Sequence, residues 1–173
     1  MSVLVYVENA EGKFKKSIFE AVSYAKAIAD QLNTSLTAVS IGSVTQDELQ
    51  KLGNYGAAKI LNVNQDALKS FINQAYASVI AEAAEKTAAS VVVLSNSFSG
   101  KGLAPRIAVK LNAGLVDGAI SLPELNDGKF IVKKTAFSNK AFAYVELHAD
   151  KKVISLTPNS YKIVETGSQA VIE

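Results

Sequence analysis

Between Ser95 and Arg106 this 173-residue chain gathers the side chains best suited to hold an anion, namely Ser97, Ser99, Gly100 and Lys101. They follow an unbroken apolar run, Val91-Val92-Val93-Leu94, and open an amphipathic stretch that ends near Leu111. That order reads as buried strand, small polar loop and helix start. A helix start aims free backbone N–H groups and the positive end of its dipole at whatever precedes it. Two hydroxyls and a lysine there would suit a phosphate or a carboxylate. The competing reading is local: Ser97 or Ser99 caps the helix while Lys101 faces water. Arg106, one helical turn beyond Lys101–Gly102, could serve the same loop or meet a partner. In parallel α/β proteins, ligand and partner sites collect at the carboxyl ends of strands, so this loop is the first place to look for function.

No reaction centre accompanies the loop. Gly100-Lys101-Gly102 lacks the upstream glycine and the following Ser/Thr of a triphosphate-binding loop, and no Gly-x-Gly-x-x-Gly follows the first apolar run. With no cysteine, disulfides, thiolate nucleophiles and cysteine-ligated metals are excluded. His148 is the single histidine, which leaves a multi-histidine metal site or a nucleophile–histidine relay without parts. Beside Ala149-Asp150 it reads as an exposed turn residue. The carboxylates are scattered, with no pair spaced for acid–base work. Asp117, ahead of Gly118, reads as the start of a turn. No catalytic residue and no metal site are expected.

Eighteen basic residues against sixteen acidic ones leave a net charge of +2. The short pairs Lys133-Lys134 and Lys151-Lys152 make no basic face, so nucleic acid is not an expected partner. No run approaches the ~20 apolar residues of a membrane span. The first eight residues lack the basic and apolar regions of a signal peptide. The expectation is a soluble, cytoplasmic protein with no membrane partner.

The elements that must position the loop follow from hydrophobic period. Val3–Val7 is a β-branched strand, Glu8–Gly12 a turn, and apolar residues at helical spacing mark a helix from Lys15 to Leu32. Ser35–Ile41 and Lys59–Val63 are further strands, separated by a short helix that Thr45 and Glu48 would start as a capping box. A long helix is expected from about Gln65 to Thr87, dense in alanine and carrying Leu68, Phe71, Ile72, Val79 and Ile80. Pro105 is placed in the first turn of the next helix, where proline is tolerated. Strands alternating with helices imply a parallel sheet with right-handed crossovers. After Leu115, Asn126-Asp127-Gly128 and Ser138-Asn139-Lys140 separate the runs Ala119–Leu125, Lys129–Phe137, Ala141–Leu147 and Lys152–Thr157, read as an antiparallel β extension. Phe142 and Tyr144 alternate with small residues and are expected to pack one face of it. The polar stretch from Glu165 to Gln169 reads as a linker.

Taken in register, several stretches resemble the N-terminal domain of the electron transfer flavoprotein alpha subunit. They are Val3–Glu8 with Gly12–Lys16, Ser97–Leu111, Leu115–Gly118 and Val153–Tyr161. Thr157 departs from the family's usual arginine. The resemblance implies an α/β fold with a Rossmann-like three-layer parallel sheet, adenine nucleotide alpha hydrolase-like, extended by C-terminal antiparallel strands. It implies that residues 1–163 form the domain and that 164–173 begin a linker to an FAD-binding domain absent here. It further implies a scaffold role without catalysis, a heterodimer with a beta subunit, and electrons passed from acyl-CoA and other dehydrogenases to the respiratory chain. FAD would be held mainly by the absent domain, with none bound by residues 1–173 alone. Arg106, Asp117 and Asn139 are the interface candidates. The alternative is a small adenine-nucleotide-binding α/β protein using Ser97, Ser99, Gly100 and Lys101.

Overall fold

The computed structural model describes residues 2–173. Strand β1 (Ser2–Tyr6) leads into a two-stranded hairpin, β2 (Asn9–Ala10) and β3 (Lys13–Phe14), then helix α1 (Lys16–Gln31) and β4 (Leu36–Ile41). Next come α2 (Gln46–Gln50), β5 (Lys59–Val63), α3 (Asn73–Lys86), β6 (Ala89–Ser95) and α4 (Phe98–Leu111). Every residue of β1 is buried, as a parallel strand must be when helices cover both its faces. It pairs in parallel with β4 on one side and β6 on the other. Because alternate side chains point to opposite faces, Val3, Val5 and Val93 pack against α1, while Leu4, Val92 and Leu94 pack against α3 and α4. The expected three-layer α/β architecture is present.

The second half is β7 (Gly114–Ala119), β8 (Glu124–Asn126), β9 (Lys129–Ala136), β10 (Ala141–Glu146), β11 (Lys152–Leu156) and β12 (Val171–Ile172). The main sheet runs β10-β9-β7-β11-β6-β1-β4-β5-β12, with β8 paired to β9. From β7 to β12 every pairing is parallel; β8, β9 and β10 form the antiparallel extension.

Several expectations are corrected by this arrangement. Lys152–Thr157, assigned to the extension, contributes the central parallel strand β11, inserted between β6 and β7. Its buried run Val153–Leu156 has the composition of a doubly covered strand, and proximity in sequence to a hairpin concealed that. Asp117 lies within β7 rather than starting a turn. The helix expected from Gln65 begins only at Asn73; Asp66–Leu68 is a 3-10 turn, tied down by the Tyr76 hydroxyl donating to the Leu68 carbonyl at 2.9 Å. Phe71 and Ile72 consequently lie in the connection and are exposed. Pro105 sits in the middle of α4, whose N-cap is Ser97, not in its first turn. Half of the capping box forms, with Glu48 N–H donating to the Thr45 hydroxyl at 3.4 Å. The Glu48 carboxylate turns away to accept from Phe14 N–H at 3.0 Å and Lys51 Nζ at 2.7 Å.

Residues 158–173 cross the α1 side of the molecule. The buried Glu20 carboxylate accepts from the N–H groups of Asn159 (2.9 Å) and Tyr161 (2.8 Å), and Ser23 Oγ accepts from Val164 N–H at 3.0 Å. Thr166 N–H reaches the Asn54 carbonyl at 2.6 Å, and β12 then adds to the edge of β5, ending in a Lys59–Glu173 ion pair of 2.6 Å. Backbone hydrogen bonds, more than apolar side chains, hold this polar stretch in place, so its composition alone reads as a linker.

Candidate functional site

The strand order reverses at β1: the chain leaves β1 toward β4 and β5, then returns to lay β6 on the opposite side. The connections leaving the carboxyl ends of β1 and β6 diverge there, which is where open α/β sheets form their binding crevice. The β1 connection supplies Glu8. The β6 connection supplies Ser97 and Ser99 at the start of α4.

These three side chains close on one another. Ser97 Oγ donates to Glu8 Oε2 at 2.7 Å, and Ser99 Oγ donates to Glu8 Oε1 at 2.6 Å. Ser97 Oγ also accepts from Gly100 N–H at 3.0 Å, the bond that makes it the N-cap of α4. The local reading is the one the structure describes: Ser97 caps α4 while Lys101 faces water, and both serine hydroxyls are bonded to the chain's own carboxylate. Gly100 is required because a Cβ there would lie 1.9 Å from the Ser95 carbonyl oxygen, so the loop folds tightly back onto the end of β6. Lys101 projects from the exposed side of α4, and Arg106 Nη1 donates to the Gly102 carbonyl at 2.6 Å on the same helix. Asp117 is exposed on β7 and paired with Lys134 of β9. Asn139, with φ 67°, stands at the tip of the β9–β10 hairpin. The structure thus joins Ser97, Ser99 and Gly100 in one constellation and leaves Lys101 and Arg106 on the outer side of α4, with Asp117 and Asn139 elsewhere, on β7 and the β9–β10 hairpin.

Beside this stitch, an open cavity of about 980 Å³ lies at the carboxyl ends of the strands. Its apolar lining includes Tyr6, Ile41, Leu68, Phe71 and Tyr76. Burial holds the Tyr6 phenol above its ordinary pKa, with the nearby Glu8 charge adding to the effect, so the ring stays neutral. Among the described residues, no group of three His, Cys, Asp or Glu side chains is placed to hold a metal. His148 is exposed and 3.7 Å from Glu146. No helix of the described residues is long and apolar enough to cross a membrane. At the start of α4 the Ser97 and Ser99 hydroxyls are bonded to Glu8, so in this arrangement they are not free to receive a diphosphate.

A different surface went unread in the sequence. Phe137, Phe142 and Tyr144 are 81%, 61% and 59% exposed, and the packing role expected for the last two is overturned. Lys133 Nζ lies 4.1 Å from the centre of the Phe142 ring and 5.6 Å from that of Tyr144, a cation–π arrangement on the open face of the extension. Alternation alone identifies two faces of a strand. Only the fold shows that one face of β10, the last strand of the sheet, has nothing packed on it. Glu8 was likewise missed as a site residue, although a carboxylate directly after a buried strand was the available signal.

The family model described as the electron transfer flavoprotein domain matches residues 3–173. The chain belongs to the electron transfer flavoprotein family. It is similar to Protein FixB of Clostridium saccharobutylicum, 26% identical over 99% of this chain and 52% of the relative. It is also similar to the electron transfer flavoprotein subunit alpha of Syntrophomonas wolfei, 27% identical over 98% of this chain and 52% of that protein. A third relative, the acryloyl-CoA reductase electron transfer subunit beta of Anaerotignum propionicum, is 29% identical over 65% of this chain and 31% of its own length. The chain spans about half the length of the first two relatives, and within the family it corresponds to the N-terminal domain of the alpha subunit.

Proposed function

We propose that residues 1–163 are the scaffold and partner-binding domain of an FAD-containing electron carrier, without catalysis of their own. In this reading residues 164–173 first run back along α1 and add β12 to the sheet edge, and the flavin is held by a further domain of the full-length subunit. The observation that carries it is the contrast between a switch-point crevice stitched by Glu8 and a sheet edge that displays three aromatic rings. An unpaired edge strand with exposed aromatics is an aggregation hazard unless a partner covers it. The partner is the beta subunit of a heterodimer, seated on β9 and β10 with Asn139 and Asp117 at its margin. The electron donors are acyl-CoA and other dehydrogenases, and the electrons pass on to the respiratory chain. The names of the relatives from Syntrophomonas wolfei and Anaerotignum propionicum support electron transfer as the common theme.

Absorption spectroscopy of the purified 173-residue chain tests the cofactor assignment. The expected spectrum has no flavin bands; near-stoichiometric flavin would contradict it. The cavity beside Glu8 favours a second reading, in which this domain binds an adenine nucleotide between Ile41 and Phe71. Calorimetry with AMP and ATP decides, since micromolar binding weakened by Phe71→Ala supports that reading and silence dismisses it.

A further inference from the structure

Helix α4 turns Leu103, Ala104, Ile107, Ala108 and Leu111 into the core. Its opposite side carries another apolar set. Phe98 is 98% exposed, Val109 is 82% exposed, and Pro105 between them is exposed as well. At 3.6 residues per turn these positions fall within roughly 40° of one another and form a stripe about 16 Å long down the helix. Isolated exposed apolar residues need no explanation. Three in line at i, i+7 and i+11, with an apolar core face already satisfied behind them, form the pattern by which one helix reads another.

The charges beside the stripe are of one sign. Lys101 flanks one side, Arg106 and Lys110 the other, and α4 contains neither Asp nor Glu. Gly102 lets α3 approach closely, since a Cβ there would lie 2.6 Å from Asn73 Oδ1. Ile72, immediately before Asn73 at the start of α3, is also exposed. Pro105 has no N–H to offer the Lys101 carbonyl, so the stripe also holds a backbone acceptor without its usual intrahelical donor.

We infer that the outer face of α4 is a docking surface for a protein partner presenting an apolar ridge bordered by acidic side chains. The surface lies on a different layer from the β9–β10 edge and does not depend on the beta-subunit assignment. Charge complementarity selects the occupant. Nucleic acid would meet an apolar centre with few cations. A second copy joined α4 to α4 would set the three cations against themselves, which is unfavourable.

The test uses the full chain and a fluorescent helical peptide of about 16 residues, long enough to cover the stripe. The peptide carries leucines on one face with glutamates on both flanks, and a control carries lysines in their place. Fluorescence anisotropy is expected to show the glutamate peptide binding at least roughly tenfold more tightly than the lysine peptide, with affinity falling as salt is raised. Val109→Glu, at an exposed position, is expected to weaken binding roughly tenfold or more, while Phe142→Ser on the β10 edge leaves it unchanged. Equal binding of the two peptides, no binding at about 1 mM, insensitivity to Val109→Glu, or loss on Phe142→Ser would each overturn the proposal. So would sedimentation showing a dimer of the chain that Val109→Glu dissolves.

Discussion

The crevice between β1 and β6 and the edge at β10 are opposites in how their polar and apolar groups are satisfied. At the crevice, two serine hydroxyls and the Glu8 carboxylate pair within the chain, while the buried Ser95 Oγ at the end of β6 has no hydrogen-bond partner among the described residues. At the edge, aromatic rings that could have been buried face water, with only a lysine ammonium above them. A buried polar cluster is costly unless fully paired, and an exposed aromatic cluster is costly unless something covers it. At Glu8, Ser97 and Ser99 the first requirement is met within the chain; the second is the ground for the proposed partner.

Substitutions that probe the crevice should produce the largest effects. Gly100→Ala places a methyl 1.9 Å from the Ser95 carbonyl and forces the backbone apart. A loss of about 3 kcal/mol is expected, lowering the thermal midpoint by roughly 6–12 °C, as read by calorimetry. Glu8→Ala removes the acceptor of two charge-assisted hydrogen bonds and should cost about 2 kcal/mol in urea unfolding. A neutral result for Glu8→Ala would show that the crevice is not held by this stitch.

Glu48 tests the same principle elsewhere, because its carboxylate ties β3 to α2. The hydrogen bond from Lys51, followed by the N–H of Phe14 and the charges of Lys51 and Lys13, holds this carboxyl below its ordinary value against the opposing effect of burial. Its folded pKa is depressed, so its contribution to stability is full above the ordinary carboxylate value of about 4.3 and fades as pH falls through the lower folded value. Urea midpoints should therefore fall more steeply on acidification below about pH 4.3 for the wild type than for Glu48→Gln. Parallel curves would remove Glu48 from the account.

The edge should respond differently. Phe137, Ser138 and Asn139 all have φ between 51° and 67°, a left-handed run in the turn that presents Asn139. Ser138→Gly should stabilise the chain by roughly 0.5–1 kcal/mol, seen as a small rise in thermal midpoint. A fall instead would mean that Ser138 contributes something its backbone strain conceals.

Elements whose period and caps agree were legible in the sequence: β1, α1, β5, a serine cap at Ser97 or Ser99, and the turns at Asp127 and Asn139. Those decided by long-range pairing were not. Val153–Leu156 enters the centre of the sheet only because β7 leaves a place between itself and β6. Pro105 looked like a helix start because a mid-helix proline is costly, yet α4 accommodates it on the exposed side where its ring meets solvent. Glu8 and Ser97 are 89 residues apart, and no local pattern connects them. The same distance problem hid the open face of β10, since exposure depends on which strand comes last in the sheet.

The most direct test is assembly with the beta subunit. Full-length alpha subunit carrying Phe142→Ser and Tyr144→Ser would be co-expressed with it and compared with wild type by analytical ultracentrifugation. The expected variant has an unfolding free energy within about 0.5 kcal/mol of wild type, and its heterodimer dissociates at least roughly tenfold more readily. An equally stable heterodimer would contradict it.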